Sequence, residues 1–215
     1  VKPRALDLFC KAGGASAGLV DAGFDVLGVD IEPQPHYPFA FAQRDALSYE
    51  RYELRLFDLI WASPPCQGRT AYKRRPDHVY DVDTDGMITR TRDMLRASGV
   101  PYIIENVPGS PLIAPVTLCG SMFAETIEIR RHRCFETSFA LIQPPCEHAR
   151  QRGSFPQATN RKNRRRTIEI GVWRIPLATQ QRAMGIDWMT LDELSNAIPP
   201  AYSRWLGTNF RQAAP

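Results

Sequence analysis

The 215-residue sequence lacks several features that would each have assigned it to a class. No apolar stretch approaches the length of a membrane span, and the first residues lack the positively charged segment, apolar core and cleavage site of a secretion signal. The expectation is a soluble, cytoplasmic protein with no membrane partner. Five cysteines (Cys10, Cys66, Cys119, Cys134, Cys146) form an odd set without a C-x-x-C pair. That argues against a disulfide framework or a four-ligand zinc site, and for reduced thiols. There is no internal repeat. The glycine-rich stretch "FCKAGGASAG" (9–18) is not G-x-G-x-x-G, which weakens a dinucleotide reading because a pyrophosphate needs the tight first glycine pair.

At 43% hydrophobic, the chain can bury one core and carry an appendage, but it is too short for two ordinary domains. Its first half alternates apolar runs with helical patterns, as a doubly wound, mostly parallel α/β sheet does. "RALDLFC" (4–10) reads as a first strand. A glycine-rich turn and a helix stopping at Gly23 follow, then "DVLGVDI" (25–31) as a second strand. "FDLIWA" (57–62) and "PYIIENV" (101–107) are further strands. The helix between them has Met87, Thr91, Met94, Leu95 and Ser98 on one face and ends at Gly99 and Pro101.

From about Thr137 the sequence turns polar, basic and aperiodic, and order returns at "LATQQRAMG" (177–185). The division expected is a catalytic and cofactor-binding part (1–139), a short irregular insert (140–175) and a C-terminal segment packing back (176–215). In that last segment Thr190 and Glu193 fit a capping box, and Pro199-Pro200 ends one helix and starts another. The net charge of +4 is modest, yet "YKRRP" (72–76), "RRHR" (130–133) and "RKNRRR" (161–166) concentrate the positive charge. Arginine clusters suit a polyanion, and solvated basic loops are the alternative.

"SPPCQG" (63–68) follows a buried-type strand, and its prolines make a stiff corner presenting Cys66. A thiolate can add to carbon 6 of a pyrimidine, turning carbon 5 into a nucleophile able to take a methyl group from a sulfonium. Such chemistry needs an acid at the ring nitrogen. Glu105 ends the next strand on the same rim, with Asn106 orienting its loop. Arg131 and Arg133 alternate in "RRHRCFE", which points two guanidinium groups to one side of a strand. Asp30, at the end of the second strand, is placed to accept from ribose hydroxyls, and Asp45 could accept from an exocyclic amine. A helix cap or a solvated acid is the alternative for each.

The order "DLFCKAGG", "SPPCQG", "ENV", "RHR", "LSNAIPPAY" resembles the DNA (cytosine-5)-methyltransferases over nearly the whole chain, and the small stand-alone enzymes of bacteriophages in particular. The resemblance implies a Rossmann-like S-adenosylmethionine-dependent methyltransferase sheet with helices on both faces and a reduced target-recognition insert. It implies Cys66 as nucleophile, Glu105 as acid, and Arg131 with Arg133 as clamp on the base and its phosphate. Phe9, Lys11, Gly13, Gly14, Asp30, Ile31, Asp45, Pro65 and Asn196 would surround S-adenosylmethionine. The partner would be DNA with its cytosine flipped out of the helix. The short insert implies backbone contacts from Arg69, Arg161, Lys162, Arg164, Arg165 and Arg166, and a permissive recognition sequence. No obligatory protein partner is evident, so a monomer is expected.

Lys11 stands where the family usually has glycine, Ser195 replaces the glycine before Asn196, and Arg69 replaces a small or hydroxylic residue. Lys11 and Arg69 allow an alternative donor, carboxy-S-adenosylmethionine. An RNA cytosine methyltransferase and an inactive DNA-binding scaffold also remain open. A zinc-dependent cytosine deaminase is rejected, because the prolines before Cys66 and Cys146 lead to no second ligand cysteine. Cys146 and His148 with Cys134 would make a poorly spaced metal set, so turn structure is the preferred account and no metal is expected.

Overall fold

The computed structural model describes residues 1–65, 84–148, 151–152 and 165–213. Side-chain alternation along the apolar strands sets its layers. In β1 (Arg4–Leu8), Ala5 joins one apolar cluster while Leu6 and Leu8 join another. In β4 (Leu59–Ala62), Leu59 and Trp61 belong to the first cluster and Ile60 and Ala62 to the second. β5 (Tyr102–Asn106) divides Ile103 from Tyr102 and Ile104 in the same way. Strands apolar on both faces need cover on both. The first face is covered by α1 (Gly14–Asp21), α4 (Leu177–Met184), α5 (Leu191–Asn196) and α6 (Pro200–Ala213), the second by α2 (Arg51–Leu54) and α3 (Thr84–Ser98).

With β2 (Asp25–Asp30), β3 (Ala40–Gln43), β6 (Val116–Leu118) and β7 (Arg133–Thr137), the described residues form a seven-stranded sheet in the order β3-β2-β1-β4-β5-β7-β6. β1 to β5 are parallel, and β7 runs antiparallel between β5 and β6. The strand order reverses between β1 and β4. A doubly wound sheet opens a ligand crevice at such a point, beyond the carboxyl ends of the strands. The residues after β1 and β4, Phe9 to Gly14 and Ser63 to Pro65, lie at those ends.

The expected strands and helices are present within a residue or two at their ends. Thr190 and Glu193 form the capping box, with Thr190 N–H donating to Glu193 Oε2 at 2.8 Å, and Gly185 ends α4 at φ 72°. β3, α2 and β6 were not foreseen. After β7 the chain is irregular to residue 148, and a two-residue parallel ladder joins β8 (Gln151–Arg152) to β9 (Arg165–Arg166). No helix among the described residues is long and apolar enough to cross a membrane.

The C-terminal segment packs back through close contact of α6 with α1. A Cβ on Gly18 would stand 2.0 Å from the Pro200 carbonyl oxygen, and one on Gly207 3.0 Å from Ala22. These glycines let two helix backbones approach at a distance no other residue permits. A second clasp is the indole of Trp188, which donates to the Ala12 carbonyl at 2.8 Å.

Candidate active site

The turn after β1 takes its shape from three left-handed residues: Phe9 (φ 61°), Lys11 (φ 44°) and Gly13 (φ 86°). Lys11, where glycine is the expected residue, occupies a conformation that suits glycine and costs a lysine about 1–2 kcal/mol. Its own contacts offset part of that cost. Its backbone N–H donates to Asp30 Oδ2 at 3.1 Å, and its ammonium lies 2.9 Å from Glu32 and 3.6 Å from Asp30. The Glu32 N–H donates to the other Asp30 oxygen at 3.1 Å. Asp30 is thus a buried carboxylate oriented by two backbone donors at the end of β2.

Beside it, Ile31 is 66% exposed and Phe9 half-buried, so an acid and two apolar side chains stand together at the crevice. Of these residues, Asp30 could accept from ribose hydroxyls and Phe9 and Ile31 could flank a purine ring. Gly14 is closed off instead by the C-terminal segment: a Cβ there would meet the Ile198 carbonyl oxygen at 2.5 Å. This contact brings Asn196, exposed at the end of α5, close to the glycine-rich turn. Asn196 Nδ2 donates to the Asp192 carbonyl at 3.0 Å. Asp45 caps the 3-10 turn Ala46–Ser48, accepting from Leu47 N–H at 2.9 Å, which is the alternative role the sequence allowed it.

Across the switch point, Asn106 ties two strand ends together. Its Nδ2 donates to the Pro64 carbonyl at 2.9 Å, while its Oδ1 accepts from Val107 N–H at 2.9 Å and Ser110 Oγ at 2.6 Å. The proline corner is therefore fixed against Glu105. The Glu105 carboxylate is buried and meets Arg133 Nε at 3.1 Å. Burial raises its pKa above the usual glutamate range, against the charges of Arg133 and Arg131 and a hydrogen bond from Ser63. Ser63 is itself held by the Trp61 indole, which donates to its Oγ at 2.8 Å.

Arg133 opens β7, and Arg131 lies just ahead of it. Only Arg133 is inside the strand, yet both guanidinium groups act on Glu105. Arg131 also donates through its Nη2 to the Ser195 carbonyl, and its own carbonyl accepts from Tyr202 Oη at 2.5 Å. Arg131 is thereby joined to α5 and α6. Cys66, Arg69, Arg161, Lys162 and Arg164 lie outside the described residues, while Arg165 and Arg166 form β9. Pro65, half-buried, is the last described residue before Cys66.

Sequence reasoning missed Ser63, Trp188, Tyr202 and Tyr37, all of which act on backbone or on another side chain. Tyr37 hydrogen-bonds Ser16 Oγ at 2.7 Å, and its ring fills the space a side chain on Gly13 or Gly28 would need. The reading of Cys134, Cys146 and His148 is corrected. Cys134 Sγ faces Thr117 Oγ1 at 3.5 Å, whereas Cys146 and His148 gather with Cys119 and His132, the four ligand atoms lying within 4.8 Å of one another. The "CEH" triplet was the one local signal. Its partners lie too far off in sequence for spacing to reveal them.

No family model matches the chain, and no curated protein matches it. Solved structures do. A protein of an E. coli prophage described as a DNA modification methyltransferase is 22% identical over 62% of this chain and 45% of its own, with a TM-score of 0.48. Spodoptera frugiperda DNMT2 is 18% identical over 66% of this chain and 53% of its own, with a TM-score of 0.47. The chain thus spans about half the length of either protein. The Entamoeba histolytica methyltransferase EhMeth superposes over 100% of both chains with a TM-score of 0.60 at 11% identity. Strand order and this superposition agree: the chain has a Rossmann-like α/β fold, the fold of EhMeth.

Proposed function

We propose that the protein methylates carbon 5 of a cytosine flipped out of DNA. The observation that carries this reading is the junction at the switch point, where Asn106 holds the Pro64-Pro65 corner beside a buried Glu105 paired with Arg133. When bound, S-adenosylmethionine supplies an electrophilic methyl carbon. Cys66, one residue beyond that corner, adds as thiolate to carbon 6, and Glu105 donates its proton toward ring nitrogen 3 as electrons move onto it. Burial raises the pKa of this carboxyl and so favours its protonated form, against the charges of Arg133 and Arg131. Arg133 and Arg131 hold the base carbonyl and its phosphate. Once carbon 5 carries the methyl group, its hydrogen leaves as a proton to solvent, the electrons of that bond form the carbon 5–carbon 6 double bond and expel the thiolate, and ring nitrogen 3 returns its proton to Glu105.

Phe9, Lys11, Gly13, Asp30, Ile31, Pro65 and Asn196 are the cofactor set, while Gly14 packs on the C-terminal segment and Asp45 caps the 3-10 turn. Asp30 and Ile31 support it most directly, as an oriented carboxylate beside an exposed apolar side chain. The ordinary donor is favoured over carboxy-S-adenosylmethionine because the Lys11 ammonium is already engaged by Glu32 and Asp30. DNA backbone binding falls to Arg69, Arg161, Lys162, Arg164, Arg165 and Arg166. The reading is tested with duplex DNA carrying 5-fluorocytosine, from which the carbon 5 substituent cannot leave. With S-adenosylmethionine present, the protein should form a covalent complex that survives denaturation, and Cys66→Ala should form none. An adduct undiminished in Cys66→Ala, or none in the wild type together with no methyl transfer to ordinary DNA, would overturn it.

A further inference from the structure

Beyond the end of the β6–β7 ladder, next to Arg133, lies a second chemical cluster. The ladder of β6 with β7 pairs Leu118 with Arg133, so Cys119 and His132 are the residues just beyond its end on the two strands. The chain then returns after β7 and brings Cys146 and His148 to the same place. Cys119 Sγ lies 3.1 Å from His148 Nε2, Cys146 Sγ 2.9 Å from His148 Nε2, and Cys146 Sγ 3.6 Å from His132 Nε2. All four ligand atoms fall within 4.8 Å of one another.

We propose that Cys119, His132, Cys146 and His148 bind one zinc ion as a closed Cys2His2 structural site. Zinc–sulfur bonds of about 2.3 Å and zinc–nitrogen bonds of about 2.0–2.1 Å place the ligand atoms of a tetrahedron roughly 3.4–3.8 Å apart. The observed cluster brackets that spacing. Both imidazoles present Nε2, and two thiolates neutralise the dication, so binding releases the two thiol protons and leaves no net charge. Surrounding groups hold the ligands as the outer partners of a metal site do. Ser121 Oγ lies 3.4 Å from Cys146 Sγ and accepts from Glu147 N–H at 3.1 Å, and the His148 carbonyl faces Arg130 Nη2 at 3.5 Å. Four protein ligands leave no open position for substrate, so the ion is structural and not a Lewis acid.

The site fastens the segment after β7 to the end of the β6–β7 ladder. His132 stands between Arg131 and Arg133, one residue before β7 begins. The ion therefore holds the residue that separates Arg131 from Arg133. This inference does not depend on the proposed reaction.

The test is metal analysis of the whole protein expressed with zinc supplied, together with cobalt(II) substitution. The wild type should carry one equivalent of zinc and, with cobalt, show the visible bands of a tetrahedral thiolate complex. Cys146→Ser and His148→Gln should weaken metal binding by more than the roughly 10–100-fold that loss of an outer partner costs. Cys134→Ser, outside the cluster, should keep both metal and spectrum. A wild type with no bound zinc and no cobalt spectrum, or a Cys134→Ser variant as depleted as Cys146→Ser, would overturn the proposal. Because wild type and Cys134→Ser each read out the site directly, misfolding of the ligand variants would not hide the answer.

Discussion

Asp7 carries its carboxyl group behind the glycine-rich turn, fully buried, with Oδ2 on Ser16 Oγ at 2.5 Å and Oδ1 without a hydrogen bond among the described residues. Burial pushes its pKa up to about 7, helped by the charges of Asp30 and Glu105 and opposed by the Ser16 hydroxyl. The folded chain therefore keeps a proton that the unfolded chain gives up above about pH 4. Stability should fall as pH rises from about 4 to about 7 and change little through this group above that, a loss on the order of 4 kcal/mol. Asp7→Asn should flatten the slope, read as a smaller difference between urea unfolding free energies at pH 5 and pH 8. An unchanged difference would remove Asp7 as its source. At the same scale, Glu105→Gln keeps shape and loses the proton, so single-turnover methylation should drop by about 10²–10⁴. A rate within about tenfold of wild type would show that another group supplies that proton.

Among elements, the packing of α1 on α6 gives the sharpest expectation. Replacing Gly18 by alanine inside a helix gains up to about 1 kcal/mol in propensity. Here the new methyl would stand 2.0 Å from a backbone carbonyl and 2.2 Å from Ser203 Oγ, so overpacking of about 1–3 kcal/mol or more should win. Gly18→Ala should lower the unfolding midpoint, and a raised midpoint would show that the two helices separate without cost. β7 is pinned to α3 in a different way. Glu136 and Arg92 are both buried and form paired bonds of 2.8 and 2.7 Å, and Ile113 N–H adds a third at 2.8 Å. Glu136→Ala would leave a buried guanidinium unpaired and should cost about 3–5 kcal/mol, measured by denaturant unfolding.

The elements that could be read from the sequence are those with strong apolar runs or clear punctuation: "LDL", "LIWA" and "YIIE", the Thr190 capping box, and the glycines at 23, 99 and 185. β3 and β6 escaped because "AFAQ" and "VTL" are short and only partly buried, so periodicity had little to register. Glu105, Arg133 and Asp30 could be placed because strand ends fix them. The Arg92–Glu136 pair and the four-ligand cluster could not be foreseen, since both join residues remote in sequence through a register that only the folded sheet defines.

For the whole molecule, the +4 net charge is too small to hold a polyanion by itself, so its distribution has to carry the affinity. If the basic run 161–166 binds phosphates, replacing Arg161, Lys162, Arg164, Arg165 and Arg166 by glutamine should make log affinity fall less steeply with log salt, by about 0.9 for every phosphate left without its cation. An unchanged slope would assign the phosphates to other residues. The fold class followed from the alternation of strands and helices. The antiparallel insertion of β7 between β5 and β6 did not, because nothing local in a strand specifies the direction of its neighbour.

The lock between α1 and α6 has a consequence for synthesis. Residues 14–21 emerge from the ribosome long before residues 200–213, and until then Leu19 and Phe24 lack the cover those later residues provide. A growing polypeptide halted before residue 200 should therefore be a client for chaperones and an easy protease target, and should gain resistance only when the last helix docks.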